Sequence, residues 1–397
     1  MNILIINSST LPFPPAKGGA VEYLIDMFLK ENEKRKQYNV TICTILDKES
    51  KDMEKEYNMC KFIHINKNFI FHLKNIFKVA KRKLEKRYCA NEYLSEVIKN
   101  IKNNIENYDL IIVENVPQFG LELRKLNPKK LVLHMHNDNL NKQTEQANEI
   151  KKAYDEIWCL SNYVMNKVIE IDNDNSNVKL LYNGIDVKKY LSISSEENTI
   201  LDYKKRYKIS NDDIVVMYSG RLVEEKGILQ LLKAFNNCKI KNLKLIIVGS
   251  SSYGKGKNTK FVKKLNDLAN NNENIIFTGY INYEDMPYIY KICDFGIVPS
   301  ICEEGFALTV VEFLASGKPV IVTNSGAIPE LVDSNSAIMI KKEKNVEREL
   351  EEAIKEMLSK LNSYDSEYNK NIAKKYSIEK YCKRFEELVG VIIDENK

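Results

Sequence analysis

The chain has 397 residues, too long for one ordinary core and suited to two domains of roughly 200 residues each. Apolar residues make up 44% and charged residues 29%, the composition of a folded soluble protein. The net charge of +5 is too mild to point by itself to nucleic acid, and no apolar run approaches the roughly 20 residues that cross a bilayer.

The opening MNILIINSSTLPFPP lacks the basic start and the cleavage site of a signal peptide. It reads as a short buried strand over 3–6 running into a loop. Further strands are expected over 39–46, 109–113, 130–135, 156–161 and 178–184. A second set is expected over 213–220, 243–249, 274–279, 294–300 and 318–324. Continuous Val/Ile/Leu runs separated by amphipathic helices indicate parallel sheets covered on both faces, and two such sets in series indicate two doubly wound α/β domains. The polar stretch 185–212 holds the boundary. No repeat of solenoid length is visible. The tail 376–393 is an amphipathic helix, with Ile378, Tyr381, Cys382, Phe385, Leu388 and Val389 on one face. Eight scattered cysteines form no CxxC and no Cys/His zinc spacing, which fits reduced thiols in a cytosolic protein.

Sheets of this kind bind ligands beyond the carboxyl ends of their strands. After the first strand, Gly18 and Gly19 precede a helix, so that backbone and helix N-terminus can approach an anion; a plain loop glycine pair is the alternative. After the strand at 130–135, His134 and His136 fall on one side, and His136 is placed to donate to a phosphate or hydroxyl; a structural histidine is the alternative. Arg221 and Lys226 bracket the loop after 213–220, a pair of cations suited to a diphosphate. Gly254 and Gly256, after 243–249, lack the third glycine of GxGxxG, and no Walker sequence occurs, so this reads as a flexible loop.

The stretch PSICEEGFALTVVEFLASGKP holds Glu304 just before a helix expected from Ala307 or Leu308 to Ala315 or Ser316, with Glu312 a turn further in. The amides from Gly305 through Phe306, Ala307, Leu308, Thr309 and Val310 face outward at that helix end. Two carboxylates flanking a phosphate-binding helix end suit a sugar nucleotide, one for sugar hydroxyls and one for the ribose diol; the alternative is that Glu303 and Glu304 are solvated and Glu312 caps a core edge. Paired acids also occur in glycoside hydrolases, but there they flank the scissile bond, whereas these approach from one side.

This block closely resembles the E-x7-E signature of retaining glycosyltransferases of the GT-B fold, family 4. The likeness is carried by Glu304 and Glu312 with Gly305, Phe306, Gly317, Pro319, Gly326 and Glu330. GRLVEEKG with Arg221 and Lys226, NGID at 183–186, Gly18-Gly19 and the terminal helix fit in order, and HMHND is similar to a variant in bacterial surface and spore-coat polysaccharide enzymes. The resemblance implies a GT-B fold of two Rossmann-like domains facing across a cleft. Residues 1–190 would take the acceptor, 191–375 the sugar nucleotide, and 376–397 would cross back onto the first domain. It implies that Glu304 and the amides after it hold the donor sugar, Glu312 the ribose, and Arg221 and Lys226 the departing diphosphate. Gly19 would meet the phosphate, His136 or His134 the donor, and Tyr280 the base. Three positions depart from the common pattern: Ala307, Phe313 and Ala327, of which Phe313 is bulky beside Glu312.

The resemblance further implies front-face transfer without a protein nucleophile, cofactor or metal, the cations doing the neutralising. A UDP-sugar donor, a hexose or N-acetylhexosamine cargo and a lipid-linked or polysaccharide acceptor are expected, with no nucleic-acid partner. The rival readings are a same-fold UDP-sugar epimerase, a phosphorylase, or a non-catalytic sugar-nucleotide-binding subunit. The tripeptide DND at 172–174 looks like a DxD metal site but lies in a polar loop after a helix, and reads as a decoy. Residues 61–90 carry nine Lys or Arg against one Glu, with Phe69, Leu73, Ile76, Phe77, Ala80 and Leu84 at helical spacing. That segment is either a surface helix with a core-facing stripe or a basic amphipathic helix on an anionic inner-leaflet surface, which would make the protein cytoplasmic and peripheral to the membrane.

Overall fold

The computed structural model describes residues 1–85, 90–194, 198–251, 259–270, 272–343 and 345–394, with backbone alone over 79–85 and 392–394. Gly254, Gly256 and Cys89 lie outside the described residues, as do the basic residues Lys86 and Arg87. The chain divides into two units, residues 1–182 with 381–397, and residues 183–380. Residues 183–190 pack with the second unit because Tyr190 is fully buried there, edge-on to Tyr290 at 5.7 Å.

The first unit is a seven-stranded parallel sheet. Its strands are β1 (Asn2–Ile6), β2 (Asn39–Ile45), β3 (Cys60–Ile65), β4 (Leu110–Glu114), β5 (Leu131–Met135), β6 (Glu156–Cys159) and β7 (Val178–Leu180). The order is β3-β2-β1-β4-β5-β6-β7. Every residue of β4, β5 and β6 is buried, as the unbroken apolar runs require of a sheet covered on both faces. The C-terminal helix Ile378–Asp394 belongs to this unit from Tyr381 onward. Phe385 packs on Phe28 at 4.5 Å and edge-on to Trp158, the only tryptophan, at 5.3 Å.

The second unit is a six-stranded parallel sheet of β8 (Ile214–Ser219), β9 (Leu243–Val248), β10 (Ile275–Gly279), β11 (Phe295–Val298), β12 (Val320–Thr323) and β13 (Ala337–Ile340). The order is β10-β9-β8-β11-β12-β13. The architecture is the expected pair of doubly wound Rossmann-like units.

Two strands escape the sequence reading, β3 and β13. Both are edge strands. Only Ile65 of β3 is buried, and β13 has four residues. The other two edge strands, β7 and β10, are expected from the sequence, so edge position alone does not hide a strand; in β3 Lys61 and His64 break the apolar run.

Each strand order reverses once, between β1 and β4 in the first unit and between β8 and β11 in the second. Strands diverge from such a switch point on either side, which leaves a crevice at their carboxyl ends. Arg221, Lys226 and Glu304 lie on the loops after β8 and β11, and Gly18, Gly19 and His136 on the loops after β1 and β5.

Candidate active site

In the second unit, the loop after β8 meets the loop after β11. The turn Glu224–Lys226 ends at Gly227, whose φ is 68° and where a Cβ would lie 1.9 Å from the Pro299 carbonyl oxygen. Only glycine allows the turn to seat on the end of β11. That seating brings Lys226 Nζ to 2.6 Å from Glu304 Oε1. The Ser300 hydroxyl donates to the same carboxylate oxygen. The Glu304 side chain is only 12% exposed, so this is a charge-assisted bond in a partly desolvated place. Its carbonyl accepts the Ala327 amide at 2.8 Å. Of the two adjacent acids, Glu303 is engaged elsewhere: it accepts the Gly326 amide at 2.6 Å and pairs with Lys342. Arg221 sits on the same loop as Lys226, but its guanidinium pairs with Glu225 at 2.9 Å, and it is 43% exposed.

The helix Leu308–Ala315 starts where the spacing predicts. Its cap, Ala307, provides no side-chain acceptor for the Leu308 and Thr309 amides, but the Val310 amide, expected to face outward, donates to the Ala307 carbonyl at 3.0 Å and Val310 is fully buried. Gly305, Leu308 and Thr309 are half-buried; Phe306 and Ala307 are buried, with Phe306 edge-on to Tyr376. Glu312, expected to line a cleft wall, is 8% exposed. The Tyr290 hydroxyl donates to its Oε2 at 2.6 Å. Burial pushes its carboxyl above the ordinary range, against the pull of the Tyr290 and Tyr190 hydroxyls. Phe313 is fully buried, edge-on to Tyr290 and over Gly296 of β11, where a Cβ would lie 2.5 Å from its ring. Its bulk fills the core over a strand glycine. Tyr280 follows β10 and is 43% exposed.

In the first unit, Gly18 and Gly19 precede the helix Ala20–Arg35, which has no side-chain cap. Gly19 has φ 116°, and a Cβ there would lie 2.1 Å from Glu22 Oε2. The missing side chain leaves room for the Glu22 carboxyl to fold back over its own helix end. Burial raises the Glu22 carboxyl to about 7, with the Glu114 charge adding to the rise and its own amide and Asn7 opposing it.

Glu114 closes β4, opposite His134 of β5 in the parallel register. His134 Nδ1 lies 3.1 Å and His136 Nε2 2.7 Å from the same oxygen, Glu114 Oε2. The histidine rings lie 4.2 Å apart and Tyr381 stacks on His134 at 6.2 Å. Burial pushes the Glu114 carboxyl up, but the two histidines outweigh it and hold it at about 2. A carboxylate accepting from both rings sets the tautomers, with hydrogen on His134 Nδ1 and on His136 Nε2. The His136 side chain is 5% exposed, so the ring expected to meet the donor is largely covered. These three residues also form the metal-capable His/Cys/Asp/Glu group among the described residues, their ligand atoms all within 4.8 Å of one another.

The DND loop has another task. Asp172 is the counter-ion of Lys151, whose side chain is 2% exposed, and the Asp174 carbonyl accepts from the same ammonium.

Sequence reasoning missed Glu114, Glu22, Ser300 and Tyr290. Glu114 stands at the carboxyl end of an apolar strand, a position that marks it in hindsight. Nothing local marks Tyr290, which reaches Glu312 across 22 positions.

Residues 200–375 match the family model described as "Glycosyl transferases group 1". The chain is 29% identical over 350 residues to "Lipopolysaccharide 1,2-N-acetylglucosaminetransferase" of Salmonella typhimurium, covering 84% of this chain and 85% of that one. It is 24% identical to "Spore coat protein SA" of Bacillus subtilis, covering 84% and 83%. Among solved structures, Anabaena Alr3699/HepE in complex with UDP-glucose superposes with a TM-score of 0.76 at 19% identity, over 98% of this chain and 100% of that one. The fold is that of GT-B glycosyltransferases. Within the matched stretch the Lys226–Glu304 pair and the start of the Leu308–Ala315 helix lie at the carboxyl ends of β8 and β11, where the strand order reverses.

Proposed function

We propose that the protein is a retaining, metal-independent hexosyltransferase. It moves a hexose or N-acetylhexosamine from a UDP-sugar to a lipid-linked or polysaccharide acceptor in cell-surface glycan synthesis. The observation that carries this reading is the Lys226–Glu304 pair at 2.6 Å beside the uncapped start of the Leu308–Ala315 helix. A cation, an acceptor for sugar hydroxyls and a ring of free amides are the three chemistries a sugar diphosphate requires. The similarity to an N-acetylglucosaminetransferase, and to the fold of a protein crystallised with UDP-glucose, supports the donor class.

In this reading Glu304 and the amides of Gly305, Phe306, Ala307, Leu308 and Thr309 hold the sugar and distal phosphate. Tyr280 takes the base, and Glu312 takes the ribose only by giving up the Tyr290 hydroxyl that covers it. Lys226 and Arg221 stabilise the charge that develops as the anomeric carbon–oxygen bond to the diphosphate breaks. The acceptor oxygen bonds to the anomeric carbon on the same face, its proton passes to the leaving phosphate oxygen, and UDP departs. No side chain is a nucleophile. The protein contributes position and a preorganised positive field.

The test is a thermal-shift screen against UDP-, GDP-, ADP- and dTDP-sugars, followed by product analysis with the best donor. A UDP-sugar should raise the melting temperature most, and the new linkage should keep the donor's anomeric configuration. An inverted product overturns the retaining assignment. Binding with no transfer or hydrolysis leaves a non-catalytic binding subunit instead, and an epimerised free sugar an epimerase.

A further inference from the structure

The helix Phe69–Glu85 is amphipathic the wrong way round for a core helix. Phe69, Ile70, Leu73, Ile76 and Phe77 are 76%, 60%, 42%, 64% and 71% exposed. They account for five of the eleven large hydrophobics exposed among the described residues. At 100° per residue these positions share one arc of the helix. The opposite arc, Phe71, Lys74, Asn75 and Lys78, faces the body of the first unit. Phe71 is its sole large apolar anchor among the described side chains, at 8% exposure. The remainder of the seat is polar. Lys78 Nζ lies 2.7 Å and Lys74 Nζ 3.6 Å from the buried Glu92 carboxylate, and Asn75 accepts the Glu92 amide at 3.3 Å. Of the two orientations the sequence leaves open, the core-facing one fails: the apolar stripe points into solvent.

The same segment concentrates the chain's charge. Residues 61–90 hold nine of the 60 Lys and Arg and one of the 55 Asp and Glu, so the rest of the chain holds 51 against 54. All of the net positive charge thus resides in this stretch. Contiguous exposed apolar surface on a monomer marks an interaction site. A second copy of the chain would bring two such cationic segments together, which opposes self-association. An anionic lipid surface meets both demands at once, with apolar depth for the stripe and counter-charge for its flanks.

We propose that the helix Phe69–Glu85 lies in the headgroup region of an anionic phospholipid membrane, inserting Phe69, Ile70, Leu73, Ile76 and Phe77. This goes beyond the transfer reaction and does not depend on it. Among the described residues no helix is long and apolar enough to cross a membrane, so the attachment is peripheral.

The test is co-sedimentation of the full chain with phosphatidylcholine vesicles, with and without phosphatidylglycerol, at low and high salt. Binding should require the anionic lipid and weaken several-fold with added salt. The triple variant Phe69→Ser, Ile76→Ser, Phe77→Ser alters only exposed side chains and should keep the wild-type melting temperature while losing vesicle binding at least tenfold. Lys81→Glu with Lys83→Glu should lose binding to anionic vesicles by a similar factor. Binding unchanged in both variants, or equal on neutral and anionic vesicles, overturns the proposal. So does a wild-type dimer in analytical ultracentrifugation that the triple variant abolishes while vesicle binding is absent, which would assign the stripe to a second copy. If the triple variant fails to fold, the salt and lipid dependence of the wild type decides.

Discussion

Lys226 Nζ stands 2.6 Å from Glu304 Oε1, although 78 positions separate them in sequence. The pair joins the loops after β8 and β11 across the point where the strand order reverses. Lys226→Ala and Glu304→Ala should each lower the transfer rate by on the order of 10²–10³-fold. Their effects should be less than additive, because each also removes the other's partner. Steady-state kinetics of both single variants and the double variant check this. Wild-type rates would remove the pair from the reaction, and full additivity would mean that the two residues act independently.

Arg221 is held less tightly, half-exposed and paired only with Glu225 four residues on. An exposed pair of this kind contributes little to stability. Arg221→Ala should therefore leave the melting temperature within a degree or two of wild type while the rate falls by about 10²-fold. A drop in stability without a drop in rate would make the arginine structural.

Glu114 is held at about 2 in the folded state, from an ordinary 4.5, by the two histidines that outweigh its burial. A depressed carboxyl stabilises the fold above pH 4.5, and that stabilisation fades as pH falls toward 2. The shift corresponds to about 3 kcal/mol. Glu114→Gln should lower stability at pH 7 by about that order and flatten the acid limb of an unfolding-versus-pH curve. The variant also frees the ring orientations of His134 and His136.

Glu22 behaves oppositely. Burial lifts its carboxyl to about 7, so the folded state holds the proton that the unfolded chain releases near 4.5. Its contribution is fully present below pH 4.5 and is lost as pH rises to about 7, an upper limit near 3 kcal/mol. Denaturant melts of Glu22→Gln between pH 4.5 and 8 should show a shallower fall than wild type. Parallel curves would mean that the carboxyl ionises normally.

Activity should survive exhaustive EDTA treatment, since the proposed charge stabilisation is carried by Lys226 and Arg221. Loss of activity restored by a divalent ion would redirect attention to Glu114, His134 and His136, whose ligand atoms lie within 4.8 Å of one another.

Much of the arrangement is legible before any coordinates. The buried strands announce themselves because a parallel sheet covered on both faces needs unbroken apolar runs. The helix Leu308–Ala315 is bounded by Gly317 and Pro319, local signals that do not depend on the rest of the chain. Edge strands β3 and β13 are short or half-buried and lack that signature. The helix Phe69–Glu85 has the expected period and takes the outward one of its two expected orientations, because periodicity says only that a stripe exists, not which way it points.

Chemistry-bearing residue types and their local elements follow from the chain alone, because helix ends, turns and strand runs depend on near neighbours. Which of those residues meet is a matter of strand order. Lys226 reaches Glu304 because β11 pairs with β8, and Glu114 gathers two histidines because β5 lies beside β4. Tyr290 closes over Glu312 from another helix, and so turns a carboxylate that reads as an open ligand group into a buried one with a raised pKa. Such contacts join positions far apart in sequence, and no local pattern encodes them; only the packing of whole elements places one side chain against the other.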